Sequence, residues 1–265
     1  ANSANFQGAG SFSCSSCWSA FVAKFDSNLS ISWVKESKSS TQSSYGKAIS
    51  LFNDDEIFVV GDHYSEMTFN GTTINSGGNQ NTFVAKMNSS GDWQWGIPLE
   101  CSCTTSGHDI DFDSSGNSYV TGIHFGTLNV GSNLILTPAG SNADGFISKF
   151  NDSANSEWAK SVGGPNDDRL YSASVNHYSG DLIVAGFFSN TVDFGEFTIT
   201  SIGSSDGLLA KLSSDYDEDD ITDNNDDDDD GDFIQDVVDL CQFSTIIFKS
   251  TGSIDHDSDG CHDKS

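Results

Sequence analysis

The chain has 265 residues, 35% of them hydrophobic, and a formal net charge of −28. Its length allows one large β domain or two smaller ones. So negative a chain repels nucleic acid and anionic membranes, and because it contains no cluster of lysine and arginine to bind phosphates, nucleic acid is not expected among its partners.

Aromatic and β-branched residues lie among abundant serine, asparagine, threonine and glycine, whereas alanine, leucine, glutamate and lysine are scarce. This composition favours short strands and turns, so almost no helix is expected. No run of about eighteen apolar residues occurs, and no membrane span is predicted.

The start of the chain favours an exported protein. Residue 1 is Ala1 rather than methionine, which fits a mature form left after removal of an export signal, or a chain trimmed at this point. Six cysteines and several Asn-x-Ser/Thr sequons point the same way. The expected location is extracellular or at the cell surface, with glycosylation at Asn28, Asn70, Asn88 and Asn151.

An internal repeat of about sixty residues is the clearest pattern in the sequence. Each copy has an apolar run that contains lysine, as in Phe-Val-Ala-Lys-Phe, then a tryptophan twelve residues after the start of the run, then a strand-like segment that ends in glycine. The runs begin at Phe21, Phe83, Phe146 and Leu208, the tryptophans are Trp33, Trp95 and Trp158, and the glycines are Gly61, Gly122 and Gly186. The fourth copy shows only the first landmark.

Within each unit the segments alternate apolar and polar residues and are separated by turns, which predicts about four strands per unit. The units span 5–67, 68–126 and 127–191, with a half unit at 192–212. The predicted fold is all-β: a propeller-like array of four-stranded antiparallel units, three full plus one half, over residues 1–212. A stacked β-solenoid is the competing geometry.

The pattern of Phe-Val-Ala-Lys, a turn, Trp and Gly-Asn-x-Tyr-Val-Thr-Gly is clearest over residues 83–122. It resembles the SBBP-type β-propeller repeat of bacterial and archaeal surface proteins, over about residues 5–212. The resemblance implies a scaffold without shared catalytic residues. The copy number departs from the family, because a closed propeller usually has four to eight blades.

The half unit at 192–212 is expected to supply only its first two strands and to leave an unpaired edge. Such edges recruit other strands, because their N–H and C=O groups are free. Two alternatives stay open. Either the tail, including residues 244–248, folds back over the edge, or a neighbouring subunit pairs with it and the protein polymerises by strand addition.

Several residues are expected to be structural. Because the tryptophans keep a fixed phase in the repeat, they should pack one sheet on the next rather than bind sugars. The letters Gly203-Ser-Ser-Asp-Gly207 match a nucleophile elbow, but a strand rather than a helix should follow, so they are read as a repeat turn. The six histidines show no metal-ligand spacing and are expected at the surface or in turns: His63, His108, His124, His177, His256 and His262.

The tail at 213–265 holds 18 acidic residues against 2 lysines. Its aspartates follow a register of thirteen residues, and alternate carboxylates at the first, third and fifth positions of a loop can converge on one calcium ion. The predicted ligands are Asp215, Asp217, Asp219, Asp223, Asp226, Asp228, Asp230, Asp232, Asp236, Asp239, Asp255, Asp257, Asp259 and Asp263. A solvated acidic run without bound metal is the alternative.

This tail is similar to thrombospondin type 3 repeats, in which alternate aspartates are calcium ligands. The resemblance covers residues 215–263, and it implies that Cys241 and Cys261 pair across the calcium loops. Two positions depart from the pattern, because the glycine after the third aspartate is replaced by Asp220 in the first copy and by Phe233 in the second.

Four further cysteines lie in two close pairs, Cys14 with Cys17 and Cys101 with Cys103. A direct Cys101–Cys103 bridge is expected to be strained, given the Cα separation that disulfides prefer, so bridges between the first two units are favoured. A zinc site built from the two pairs is a weaker alternative, because its spacing is atypical and an oxidising compartment opposes it.

The leading hypothesis is a non-enzymatic extracellular structural protein that assembles with itself or other surface proteins into a fibre or surface layer and has a calcium-stabilised tail. The alternative is a calcium-dependent adhesin or a module that binds glycans or proteins at the cell surface. An enzyme is not expected, because no nucleophile, acid/base pair or phosphate-binding loop fits its sequence context.

Overall fold

A computed structural model describes residues 2–6, 10–14, 18–37, 43–52, 56–131, 134–177, 179–194 and 198–213. Every regular element in these residues is a β-strand, 21 in all, which confirms the prediction of an all-β fold for the described part. None of the described residues belongs to a helix that could cross a membrane.

The strands run in chain order. They are β1 (Asn2–Phe6), β2 (Gly10–Cys14), β3 (Phe21–Phe25), β4 (Ile31–Glu36), β5 (Ser44–Phe52), β6 (Glu56–His63), β7 (Met67–Phe69), β8 (Thr72–Ile74), β9 (Asn81–Asn88), β10 (Trp93–Cys101), β11 (Thr105–Phe112), β12 (Ser118–His124), β13 (Leu128–Asn129), β14 (Ile135–Leu136), β15 (Asp144–Phe150), β16 (Ser156–Val162), β17 (Arg169–Val175), β18 (Leu182–Phe188), β19 (Thr191–Asp193), β20 (Thr198–Thr200) and β21 (Asp206–Leu212).

These strands form several small sheets, whose recorded pairings are antiparallel. The largest has the order β14-β13-β10-β9-β6-β5, and a four-stranded sheet has the order β11-β12-β15-β16. A three-stranded sheet contains β17-β18-β21, and β3 pairs with β4 alone. Short hairpins of β1–β2, β7–β8 and β19–β20 complete the set.

The sheets are out of phase with the sequence repeat by two strands. The Phe-Val-Ala-Lys strand β9 hydrogen-bonds to β6 of the preceding repeat, over all eight residues from Glu56 to His63. A sheet therefore consists of the last two long strands of one repeat and the first two of the next, as in β5, β6, β9 and β10.

This phase corrects the expected count of three full units and one half. The described residues contain two complete four-stranded units, preceded by the two-stranded β3–β4 and followed by the three-stranded β17-β18-β21. The fourth repeat therefore does not provide an isolated pair of strands, because β21 is the third strand of a sheet that begins at Arg169.

The sheets pack face to face through two apolar cores, because the inner strands β6, β9, β12 and β15 are buried on both sides. One core joins Phe58 and Val84 of the largest sheet to Ile110, Phe112 and Phe146 of the four-stranded sheet. The other core joins Val22 of β3 to side chains of β6, β7, β8 and β9, among them Val59, Phe69, Ile74, Phe83 and Met87. Neighbouring residues of β9 thus enter different cores, as period-2 alternation requires.

The chain divides into two compact parts. Of the described residues, the first contains those between 2 and 112, 116 and 174, and 184 and 209, and the second contains 113–115, 175–177, 179–183 and 210–213. Within the second part the Lys211 ammonium pairs with the Asp181 carboxylate at 2.8 Å, and the Asn176 N–H donates to the Asp181 carbonyl at 2.8 Å. The surfaces described below belong to the first part.

Candidate functional site

The first strand of each repeat shows where an apolar surface is left uncovered. Phe83 and Met87 in β9 are fully buried, and so are Phe146 and Phe150 in β15. The side chains at the same repeat positions in β3, Phe21 and Phe25, are 51% and 52% exposed. The repeat pattern therefore places core residues on a surface of the molecule.

The same contrast separates β5 from β11. Ile49 pairs with Val59 in β5–β6, and Ile110 occupies the matching place in β11–β12. Ile110 and Phe112 are buried, whereas Ile49 and its neighbour Leu51, at the Phe112 position, are 56% and 62% exposed.

We call the exposed side of β3 that carries Phe21 and Phe25 the leading face. The equivalents of these residues in the third repeat, Phe146 and Phe150, lie in the core with Phe58 of the sheet that precedes them in the chain. The leading face is thus the surface on which a preceding sheet would pack, and exposed apolar side chains at core positions mark a candidate interaction surface.

Ile49 and Leu51 form a separate exposed pair. They lie on the side of β5 where the paired residue Val59 shares a core with Val22 of β3, so they belong to the next sheet and not to the leading face.

The repeat tryptophans connect one repeat to the next. The Trp33 indole N–H donates to the Ser89 carbonyl at 3.0 Å, and the Trp95 indole N–H donates to the Asp152 carbonyl at 3.1 Å. Each acceptor lies in the hairpin turn of the following repeat. Trp33 and Trp95 are half-buried and pack against the cores, which confirms for these two the prediction that they join sheets.

The lysine of the second repeat, Lys86, also has a structural role. Lys86 is buried, bonds the Glu56 carboxylate at 2.8 Å and pairs with Asp152 of the next repeat. Its ammonium lies 5.3 Å from the centre of the Phe58 ring. A charge at this depth is tolerated because two carboxylates and an aromatic face surround it.

Asp62 is a buried carboxylate whose contacts are all within the fold. It accepts hydrogen bonds from the Gln80 amide and the Ser106 hydroxyl, each at 2.9 Å, and pairs with Lys47 at 3.2 Å. Burial raises the pKa of Asp62, against the opposing effect of the Lys47 charge. The arrangement ties β6 to β11 rather than presenting a free acid or base.

Asp144 is a second buried carboxylate, and it begins β15. One of its oxygens accepts the Ala139 N–H at 2.8 Å, while Oδ1 has no hydrogen-bond partner. Burial raises the pKa of Asp144 to about 6, and the nearby Asp168 charge adds to that rise. Asn81 holds the matching place in β9, where its side-chain oxygen accepts the Cys101 N–H at 3.2 Å.

Two histidines correct the expectation that all six lie at the surface or in turns. His63 and His124 are fully buried at the ends of β6 and β12. Each places Nδ1 at 2.7 Å from a backbone carbonyl two residues later, and burial lowers the pKa of both. Both follow the repeat glycine by two residues, a regularity by which the sequence could have revealed them.

The other histidines agree better with that expectation. His177 is exposed, and His108 is half-buried with Nδ1 at 2.6 Å from the Leu170 carbonyl. His256 and His262 lie outside the described residues. The histidine side chains in the described part therefore either form hydrogen bonds within the fold or lie at the surface.

Cys101 and Cys103 form a disulfide with each other. This contradicts the expectation that the pair is too strained to bond and that bridges join the first two units. A bend after β10 brings the two Cα atoms to 4.9 Å, within the range that disulfides prefer. The Cys14 side chain, Cys17, Cys241 and Cys261 lie outside what the structure describes.

Two sequon asparagines, Asn28 and Asn70, lie in hairpin turns, whereas Asn88 ends β9 and Asn151 directly follows β15. The Asn88 side-chain oxygen accepts the backbone N–H groups of Ser90 and Asp92, and Asn151 does the same for Ser153 and Asn155. This turn chemistry explains why asparagine occupies both positions. Asn28 and Asn70 are exposed, and the Asn70 side-chain amide donates to the Gln94 carbonyl at 3.1 Å.

The letters of the nucleophile elbow are a turn, as predicted. Residues 202–204 bend before β21, and the Asp206 carboxylate accepts the Ile202 N–H at 2.6 Å. The same capping by an acidic side chain precedes β15, so the feature belongs to the repeat.

The fourteen predicted calcium ligands, from Asp215 to Asp263, all lie outside the described residues. Over residues 2–213, with the gaps given above, no group of three or more histidine, cysteine, aspartate or glutamate side chains is arranged to hold a metal ion. The calcium prediction therefore concerns the tail alone.

An open groove of 480 Å³ lies beside the first two repeats. Val34, Lys35, Glu36, Thr68, Asn70, Gly91, Asp92 and Trp93 line it. The Lys35 ammonium and the Asp92 carboxylate pair at 3.0 Å, which cancels two of the charges. One aromatic ring with several polar groups is a composition that suits a neutral polar ligand.

Comparisons with known proteins give no family. No protein-family model matches the chain, and no curated protein matches it. Among solved structures, the chain is similar to a protein of unknown function from Bacteroides caccae, at 10% identity and a TM-score of 0.28, over 72% of this chain and 68% of that one. So weak a likeness carries no argument about fold or function.

Proposed function

We propose that the chain is a non-enzymatic structural protein of the cell exterior, a propeller-like array of β repeats that assembles with copies of itself and carries a calcium-binding tail. The observation that supports the proposal is the leading face. Phe21 and Phe25 occupy repeat positions that are core in the later repeats, yet they are exposed here.

Covering this face is expected to contribute a modest favourable free energy for each residue, and these contributions add. A fully buried large apolar side chain contributes about 1.5–3 kcal/mol, so a half-exposed one can contribute about 1 kcal/mol more on contact. Phe21 and Phe25 together provide a centre for association, to which surrounding polar contacts add specificity.

The buried polar residues support a scaffold rather than a reaction site. Asp62, Lys86, His63 and His124 bond backbone groups, neighbouring charges or hydroxyls within the fold. The pKa values of Asp62, His63 and His124 are shifted with burial as the first cause, and structural groups show such shifts as well as catalytic ones.

Replacement of Phe21 and Phe25 by serine is expected to abolish concentration-dependent association while leaving the repeats folded. Both side chains lie on the uncovered face of β3, so their loss removes contact surface without opening a core. Sedimentation velocity at rising protein concentration, with calcium present, measures the effect. Leu29→Asn is the matched control, because Leu29 is exposed in a turn at φ 60, outside the core positions of the repeat.

A wild-type chain that stays monomeric at high concentration with calcium would show that self-assembly is wrong. The adhesin alternative would then gain support, and the groove beside Trp93 would be its first place to test with saccharides.

Calcium is expected to fold the tail. Sixteen net negative charges in residues 213–265 repel one another, and little apolar surface is available to offset chain entropy, so bound cations would supply the folding energy. Chelation should make this segment protease-sensitive and leave the repeats intact. Calorimetric titration should show calcium binding that weakens when Asp228, Asp230 and Asp232 become asparagine; no binding at millimolar calcium would reduce the tail to a solvated charge run.

A further inference from the structure

The first and last Phe-Val-Ala-Lys strands of the described chain are open on opposite faces. In β9 and β15 the first and second residues of the run are both buried, as Phe83 with Val84 and Phe146 with Ile147. In β3 the first residue is exposed and the second, Val22, is buried. In β21 the order is reversed: Leu208 is buried, and Leu209 is 76% exposed.

This reversal identifies a second apolar surface that differs from the leading face. Val84 shares a core with Ile110 and Phe112 of the following sheet, so its equivalent Leu209 lies where a following repeat would pack. We call the exposed side of β21 around Leu209 the trailing face. Each interior contact between successive repeats joins a trailing side to a leading side, and among the described residues one example of each is exposed.

The occupant of the leading face follows from the packing of the interior sheets. Val84 lies on the side of β9 that corresponds to Leu209 in β21, and it shares a core with Phe146 of the following sheet. Phe146 holds the repeat position of Phe21, so the trailing side of one copy would find on another copy the side chain that it packs against inside the molecule. Two of the four lysines in residues 18–52 are already paired within the copy, Lys35 with Asp92 and Lys47 with Asp62, so the contact rests on apolar packing.

From these observations we propose that the partner of the leading face is the trailing face of a second copy of this chain. This rests on the proposed self-assembly and specifies its polarity. The contact is heterologous, because each copy uses two different surfaces, so assembly continues into a ring or an open filament instead of stopping at a two-fold dimer. It repeats between copies the packing that the central repeats use within one copy.

Two variants that each remove one face test the polarity. Phe21→Ser with Phe25→Ser removes the leading face, and Leu209→Ser removes the trailing face. Head-to-tail contact predicts that each variant alone is monomeric. An equimolar mixture should form a heterodimer and stop there, because one intact leading face then meets one intact trailing face. Sedimentation velocity and mass photometry would measure the mass.

The other outcomes overturn defined parts of the inference. If Leu209→Ser still assembles alone while the leading-face variant does not, the contact is a symmetric one between leading faces, and the polarity is wrong although self-assembly stands. If the wild-type chain itself remains monomeric, both the proposed function and the polarity fail. Ile49→Ser with Leu51→Ser is the control for a separate exposed apolar pair and should assemble like the wild type, and circular dichroism checks that every variant is folded.

Discussion

Replacement of Gly122 by alanine is expected to lower the free energy of unfolding by about 3 kcal/mol, the upper range for inserting an atom into a packed core. A Cβ at this position would overlap the Ser106 carbonyl oxygen and lie 2.7 Å from Cε1 of Phe146. Phe146 is fully buried, and the Ser106 carbonyl belongs to the paired strand β11, so neither can move freely. Urea unfolding followed by tryptophan fluorescence measures the loss.

Gly207→Ala is the matched control, because Gly207 is also in a strand but a Cβ there would have no atom within 4 Å. Alanine normally stabilises a strand relative to glycine by about 0.5–1 kcal/mol, so this variant should be neutral or slightly more stable. Equal effects of the two substitutions would contradict the steric explanation and leave a general backbone preference.

The glycine of the repeat shows what a sequence pattern can and cannot reveal. The pattern identified Gly61, Gly122 and Gly186 as landmarks, but the reason lies in their tertiary neighbours. A Cβ at Gly61 would collide with the Tyr45 carbonyl and the Phe83 ring. A Cβ at Gly186 would collide with the Arg169 carbonyl, which corresponds to that of Tyr45. The close approach of the paired strand at this glycine therefore recurs in each of the three repeats.

The phase of the sheets could not be predicted from the repeat alone. A repeat has the same period wherever its first residue is placed, so the landmarks cannot show which strands share hydrogen bonds. That choice is made by pairing, and β9 pairs with β6 of the preceding repeat across the short β7–β8 hairpin. The prediction of about four strands per unit was sound, but the boundary between units was not.

The leading face illustrates the same limit. Phe21 and Phe83 are identical residues at identical repeat positions, so no property of the residue separates the exposed ring from the buried one. The structure separates them by what packs beside each strand: Phe83 is 5.6 Å from Phe69, measured between ring centres, and shares its core with Val22. Phe21 contacts Phe6 at 5.0 Å yet stays half exposed.

The disulfide was mispredicted because sequence spacing fixes only an upper limit on the distance between two residues. An extended chain would hold Cys101 and Cys103 further apart, and the prediction assumed such a strand. The bend after β10 shortens the separation, and the sulfur of Cys101 also accepts the Cys103 N–H at 3.3 Å. Local turn geometry, rather than the connection between units, decides this pairing.

Asp144→Asn is expected to stabilise the protein at neutral pH, and by an amount that depends on pH. Burial is the first cause of the rise in the pKa of Asp144, from 3.8 to about 6. A carboxyl that binds its proton more tightly when folded favours the folded state in acid. The free energy of unfolding should therefore fall as pH rises from about 4 to about 6, by about 3 kcal/mol in all.

Asparagine stays neutral throughout this range, so the variant should match the wild type below about pH 4 and exceed it by up to about 3 kcal/mol at pH 7. The chain offers a precedent, because Asn81 holds the same repeat position, buried and bonded to the Cys101 N–H. Its amide can donate to the Ser76 carbonyl at 3.5 Å, which a carboxylate cannot do. The reciprocal change, Asn81→Asp, should therefore destabilise the protein at neutral pH and introduce the same dependence of the free energy of unfolding on pH.

Urea unfolding of both variants and the wild type from pH 4 to pH 8 measures the differences in the free energy of unfolding. The contributions of the other carboxyl groups are common to all three proteins and cancel in these differences. A constant difference between wild type and Asp144→Asn across that range would show that ionisation of Asp144 is not coupled to folding.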